Sequence, residues 1–369
     1  MSQRSIKKYV FHAAAAKCVP VSGTFELTSR CNLNCRMCYI HMTPKEQQGY
    51  GKELTTEQWV DLGKQAVEAG MVYLLLTGGE PLLRPDFMTI YKAMVQMGVM
   101  VSINTNGIFI TPEIVECLKQ YPPEMVNVTL YGTSSETYKE LCGVESGYEA
   151  AKRGILMLKN AGIRLNINTT FTKCNIADMV GLVTFAKENK IMIRTAAYVF
   201  PKVRNGGEEQ TVSLSAEEHG KMAAQFDFLT LQEELLHRRA EYVRQCVYAE
   251  VDENVMPESK VSSCMAGRGS FWISWDGKMY PCGMLPEYSL DVTKTLFTNA
   301  WEDTCQNITQ VFLPEECSVC QYKSLCPLCA AVTQSINGDT AVVPEEMCVY
   351  IKAYCKAFLE EYTRKFDNK

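Results

Sequence analysis

GTFELTSRCNLNCRMC, residues 23–38, reads in two halves that decide how the rest of the chain is built. The first half carries Phe25 and Leu27 in a short strand-forming run, and the second sets Cys31, Cys35 and Cys38 at C-x3-C-x2-C spacing on the loop that leaves it. The C-terminal edge of parallel strands is where α/β proteins place their chemistry. A buried strand needs neighbours, and five more short apolar runs follow: VYLLLTGG (72–79), VMVSINTNG (99–107), VNVTLYG (126–132), IRLNINTTF (163–171) and IMIRTAAYV (191–199). Amphipathic segments separate them and carry helix start signals, Thr55 with Gln58 as a capping box and Thr111 ahead of Pro112. Strands alternating with helices predict right-handed βαβ crossovers. Six units fall short of a closed eight-fold barrel, so the expected fold class is α/β, a partial (β/α)6 TIM-like barrel over residues 23–215.

The flanking regions differ in texture. Residues 1–22 form a basic N-terminal extension whose apolar stretch is interrupted by His12 and Lys17, which does not make a signal peptide. Residues 216–260 read as bridging helices, and residues 261–369 are poor in periodic apolar segments and rich in Cys, Gly and Pro, the mark of a small domain that depends on metal. The chain has 369 residues, 47% of them hydrophobic, and a net charge of -5, which gives no footprint for nucleic acid or an anionic membrane. No uncharged run is long enough to cross a bilayer, and the expected compartment is the cytoplasm. There seventeen cysteines stay reduced, so their clustering argues for metal ligation over disulfides.

Three thiolates at one point suit a 4Fe-4S cube with one iron left free for an external ligand, whereas structural sites close with four. A zinc or cluster site completed by Cys18 or His41 is the alternative. The cysteine loop after strand one, with TGGEP (77–81) after strand two, resembles the radical S-adenosylmethionine (SAM) superfamily. The resemblance implies that the amino acid end of SAM fills the free iron site and that Thr77, Gly78, Gly79 and Glu80 hold its amino group. Paired glycines allow close approach of backbone to a ligand, and a carboxylate at a strand end accepts hydrogen bonds from an ammonium. By position on strands three to five, Asn106, Thr129 and Asn168 are the candidates for the SAM carboxylate and ribose. The implied chemistry is electron transfer from the cluster into the SAM sulfonium, giving a 5'-deoxyadenosyl radical that abstracts hydrogen. It needs few acids or bases, so no catalytic side chain is assigned and Tyr131, at the end of strand four, is a residue to watch. The sequence departs from the family at Met37, often aromatic, and at Leu141-Cys142-Gly143, where many relatives carry an arginine.

The second cysteine group runs Cys264, Cys282, Cys317, Cys320, Cys326, Cys329, Cys348, and resembles the SPASM extension of enzymes that modify peptides and proteins. The resemblance implies two auxiliary 4Fe-4S clusters. Cys317, Cys320, Cys326 and Cys348 would hold the outer one, and Cys264, Cys282 and Cys329 the inner one, leaving an iron open. Cys305 is either a fourth ligand there or a small buried hydrophobe. Gly283 stands where sulfatase-maturing relatives place an aspartate. Two zinc knuckles are the alternative for this region. The resemblance therefore implies a radical SAM/SPASM enzyme with three 4Fe-4S clusters and SAM, modifying a peptide or protein side chain, for instance by a thioether or carbon-carbon link. It implies an external electron donor such as flavodoxin or ferredoxin and, since few residues precede strand one, a separate leader-peptide-binding protein. The competing functions are a radical SAM enzyme acting on a small molecule, and a non-catalytic iron-sulfur carrier or sensor, which has no use for a SAM pocket.

Overall fold

The computed structural model describes residues 3–203, 212–249, 260–261 and 264–367. All six expected strands form: β1 (Ser22–Glu26), β2 (Tyr73–Thr77), β3 (Met100–Thr105), β4 (Met125–Thr129), β5 (Leu165–Thr169) and β6 (Met192–Thr195). Five short strands follow, β7 (Lys260–Val261), β8 (Ser270–Ile273), β9 (Lys278–Tyr280), β10 (Leu290–Asp291) and β11 (Phe312–Leu313). The mixture of a parallel sheet with helices is the expected α/β class. Both predicted helix starts are realised, Thr55 and Gln58 capping reciprocally and the Thr111 side chain accepting from Ile114 N–H.

Compactness divides the chain into two units. The first comprises Met1–Thr169, Phe200–Glu209 and Cys264–Gln310; the second comprises Thr170–Val199, Gln210–Ser263 and Val311–Lys369. This division cuts across the sequence boundaries expected at residues 215 and 260, because the cysteine-rich region starts inside the first unit. There β8 pairs in parallel with β1, Thr24 opposite Trp272, and β9 and β10 continue antiparallel. The turn that reverses β8 into β9 contains Gly277 at φ +80°, a left-handed conformation that glycine adopts without strain.

In the first unit β1 to β5 are parallel and in sequence order, in registers such as Leu75 opposite Ser102 and Thr129 opposite Asn168. Alternation along them separates two faces. Leu74, Leu76, Val101, Ile103, Val126 and Val128 are buried, with helices Phe87–Gln96 and Gly147–Asn160 packed on β3 and β4, each such side chain contributing about 1.5–3 kcal/mol. The opposite face is polar. Asn127 donates to Asn104 Oδ1 at 2.9 Å and Asn166 donates to Asn127 Oδ1 at 3.3 Å, an amide ladder across three strands. The N-terminal extension is helical over Gln3–Ala16.

The second unit is built on helices Ala216–Thr230 and Glu345–Tyr362, packed on each other, with Glu233–Val247 beside the latter. Two helices thus occupy the stretch expected to be helical, and residues 250–259 lie outside the described ones. No helix among the described residues is long and apolar enough to cross a membrane.

Helix Gly147–Asn160 reaches the β3 loop at closest range: a Cβ at Gly154 would sit 2.2 Å from the Gly107 carbonyl oxygen. Gly154→Ala should therefore destabilise the protein by roughly 1–3 kcal/mol through overpacking. Gly49→Ala, with nothing within 4 Å and a helical setting, should be neutral or stabilising, and urea unfolding of both variants checks the contrast.

Candidate active site

The loops after β1 and β2 run on as a backbone ladder beyond their strands. Leu27 N–H donates to Thr77 O at 2.8 Å, Gly79 N–H to Thr28 O at 2.7 Å and Glu80 N–H to Arg30 O at 2.8 Å. A Cβ at Gly78 would lie 2.5 Å from Thr28 O, and one at Gly79 2.2 Å from Arg30 O. The paired glycines therefore admit the backbone of the cysteine-bearing loop, where the sequence suggested a ligand. Glu80 likewise turns inward. At 0% exposure its carboxylate accepts from Thr105 Oγ1 (2.8 Å), Asn106 N–H (2.7 Å) and Leu82 N–H (3.0 Å), tying the β2 loop to the end of β3. Burial pushes its pKa up to about 7 against the pull of those donors.

Arg84, which sequence reasoning passed over, is 6% exposed. Its guanidinium donates to Leu27 O (3.0 Å) and Leu54 O (3.1 Å), grips Asp86 through two bonds of 2.9 and 2.7 Å, and reaches Glu53 at 3.4 Å. Glu53 in turn takes a forked pair from Arg30 at 2.9 and 2.8 Å and a hydrogen bond from the Thr28 hydroxyl. The signal was an arginine in GGEPLLR, too common in exposed loops to single out.

Cys31, Cys35 and Cys38 sit on this braced loop. The C-terminus of helix Ser135–Cys142 clasps it, Asn34 N–H donating to Cys142 O and Arg36 N–H to Leu141 O, both at 2.9 Å. Burial, with mutual proximity second or lower, pushes the Cys31 thiol up to about 12 and Cys38 to about 11; Cys35 is raised by the adjacent Cys142 thiol and by burial. Such thiols lose their protons only to a cationic partner. Backbone donors already address the sulfurs, Leu33 N–H to Cys31 Sγ at 3.4 Å and His41 N–H to Cys38 Sγ at 3.3 Å. Among the described residues no three His, Cys, Asp or Glu side chains converge on a single metal ion. Three thiols with N–H···S donors on one braced loop fit the ligand set of a metal centre, with the backbone donors available to tune its sulfurs.

The remaining sequence candidates lie around the same strand ends. Thr77 is buried at the end of β2, and Asn106 donates to Asn32 Oδ1 at 2.7 Å and toward Cys31 Sγ at 3.8 Å. Thr129 and Asn168 are register partners, half-buried on the polar face. The Tyr131 hydroxyl is raised well above its ordinary pKa by burial and then by Cys35 and Cys38, which places it beside the cysteine loop.

The second cysteine group divides between the units. In the second, Cys317, Cys320, Cys326 and Cys348 line one cavity of about 880 Å³, and burial followed by their neighbouring sulfurs raises Cys317 and Cys326 to about 11. Cys329 lies in the same unit, at the start of helix Ala330–Asn337. In the first unit Cys264 and Cys282 each accept a backbone N–H two residues on, at 3.4 and 3.5 Å. Cys305 is buried and hydrogen-bonds with Cys18. Gly283 has a steric cause: a Cβ there would fall 2.7 Å from the Trp272 ring, whose indole N–H donates to the buried Glu26 at 2.8 Å. Glu26, another residue that the sequence did not flag, thus holds the indole against Gly283.

Residues 25–186 match the profile of the Radical SAM superfamily. Fold, cysteine loop and this match define the class of that part of the chain: residues 25–186 form a radical SAM domain, the kind that works with SAM and a 4Fe-4S cluster. The chain is 29% identical over 340 residues to the AdoMet-dependent heme synthase of Methanosarcina barkeri, covering 88% of this chain and 95% of that one. It is 24% identical over 272 residues to the PqqA peptide cyclase of Ruegeria pomeroyi, covering 70% and 71%. Its fold superposes on native anSMEcpe with bound AdoMet at a TM-score of 0.68 and 18% identity, over 95% and 98% of the two chains.

Two predictions test the brace. Glu80 has a folded pKa near 7 against an ordinary 4.5, so its contribution to stability is fully present below pH 4.5 and lost as pH rises to 7. In the metal-free protein, the melting-temperature advantage of Glu80→Gln should grow between pH 4.5 and 7 and level off above; parallel curves would refute the assignment. Arg84→Ala removes the donor to the Leu27 and Leu54 carbonyls and the cation beside Asp86, while Glu53 keeps Arg30, and should cost about 3–5 kcal/mol, read by chemical unfolding.

Proposed function

We propose that the chain is a radical SAM/SPASM enzyme with two auxiliary 4Fe-4S clusters that modifies a peptide or protein side chain by hydrogen abstraction. The observation that carries this reading is the convergence of Cys317, Cys320, Cys326 and Cys348 on one cavity in a unit separate from the three-thiol loop. A simple radical SAM enzyme has no need of a second thiol set. When bound, the first cluster and SAM together supply the 5'-deoxyadenosyl radical.

The chain's own residues do the rest. Cys31, Cys35 and Cys38 hold the SAM cluster on a loop fixed by Arg84 and Glu80; the Thr77–Gly79 backbone, Asn106, Thr129 and Asn168 receive SAM at the strand ends. Cys264, Cys282 and Cys329 hold the inner auxiliary cluster. The neutral amide ladder on the polar face offers hydrogen bonds to a substrate without fixing its charge. Similarity to the PqqA peptide cyclase supports a peptide substrate. The near full-length similarity to an AdoMet-dependent heme synthase supports a second reading, an iron porphyrin substrate. Under either, the enzyme works in the cytoplasm with a flavodoxin or ferredoxin as electron donor, and the peptide reading adds a separate protein that presents the leader.

Anaerobic reconstitution should give ~12 iron atoms per chain, and Cys348→Ala should lose ~4 of them. Given SAM and dithionite, the native chain should release 5'-deoxyadenosine, and Cys35→Ala should not. Short cysteine-containing peptides encoded beside the gene should raise that release and change mass; stimulation by iron coproporphyrin III in their place selects the second reading.

A further inference from the structure

The second unit contains a groove of about 620 Å³ that the proposed chemistry does not use. Every residue of β6, Met192 to Thr195, lines it. β6 is the last strand in the sheet order, so among the described residues one of its edges has no strand partner. An unpaired edge offers N–H and C=O groups to any extended chain that lies along it.

The charges around this edge run against the rest of the molecule. The chain carries a net charge of -5, yet Lys187, Arg194 and Arg239 line the groove against a single carboxylate, Asp227. That carboxylate is engaged, its Oδ2 accepting from the Tyr354 hydroxyl at 2.7 Å. Arg239 also lies close enough to Asp227 to favour its charged form, and Lys187 and Arg194 form no ion pair among the described residues. The walls between them are apolar, with Phe226 and Tyr350 both buried. A strand added at β6 turns alternate side chains to opposite sides, so a segment that alternates acidic and apolar residues satisfies cations and walls together.

We infer that this groove docks an extended acidic segment of a peptide by strand addition at β6. The site deepens the peptide reading and rests on it for the parent of the segment. The docking itself needs no turnover.

The test uses the full-length, reconstituted protein and fluorescein-labelled EVEVEV and KVKVKV peptides, read by fluorescence anisotropy. The acidic peptide should bind, more weakly as salt rises from 50 to 500 mM, and the basic one should not. The double variant Arg194→Glu/Arg239→Glu, checked for unchanged iron content and circular dichroism, should bind at least tenfold more weakly, about 1.4 kcal/mol. An acidic peptide N-methylated at alternate residues, which cannot complete the ladder, should lose binding to a similar degree. Equal binding of both charges, unchanged affinity in the double variant, or full binding of the methylated peptide each overturns the proposal. Acidic-peptide docking without modification of any peptide keeps the groove and removes the peptide-substrate reading. Peptide modification with unaltered affinity in the double variant does the reverse.

Discussion

A single buried guanidinium sets the frame of the first unit. Arg84 is surrounded by two carboxylates and two backbone carbonyls, and its partners come from the end of β1, from the segment before the first barrel helix and from its own loop. An arginine so enclosed holds its geometry because every departure leaves a charge unpaired in a low-dielectric place. Through Glu53 the constraint passes to Arg30 and Thr28, the residues that lead into Cys31. The loop that must present three thiols to one point is therefore fixed before any metal arrives, which lowers the ordering cost of loading it.

Glu80 extends the same logic to the next strand. Its carboxylate joins the β2 loop to the first residues beyond β3, so the strand ends that would surround SAM move together. Braced strand ends and an uncharged amide ladder on the same face give that face polarity without charge. This suits chemistry in which a radical must find one hydrogen atom and meet few acidic protons. The second unit divides the labour, with one cavity ringed by thiols and a separate groove ringed by cations.

Much of this was legible in the sequence because it is local. Strand runs, the Thr55–Gln58 capping box and the cysteine spacing each depend on residues within a few positions, and each appears where expected. What could not be read depends on distant pairing. Nothing in SFWI announces that β8 lies parallel to β1, since a four-residue strand carries no address for its neighbour. The same pairing hides Glu26, whose meaning comes from Trp272, 246 residues away. The glycines of TGGEP also answer a crowding that no local reading shows: it comes from Thr28 and Arg30, about fifty positions earlier in the sequence.

The indole of Trp272 lying in the space of Gly283 bears on how such an enzyme can diverge. A side chain at 283 is accessible by a single base change in many glycine codons, yet in this background it collides with the ring of a residue that Glu26 holds in place. The two positions are thus epistatic, and the order of substitution is constrained: the large ring must shrink before the glycine can gain a functional group. In this chain a carboxylate at 283 and an indole at 272 exclude each other, so exchanging one for the other passes through a sequence that lacks both.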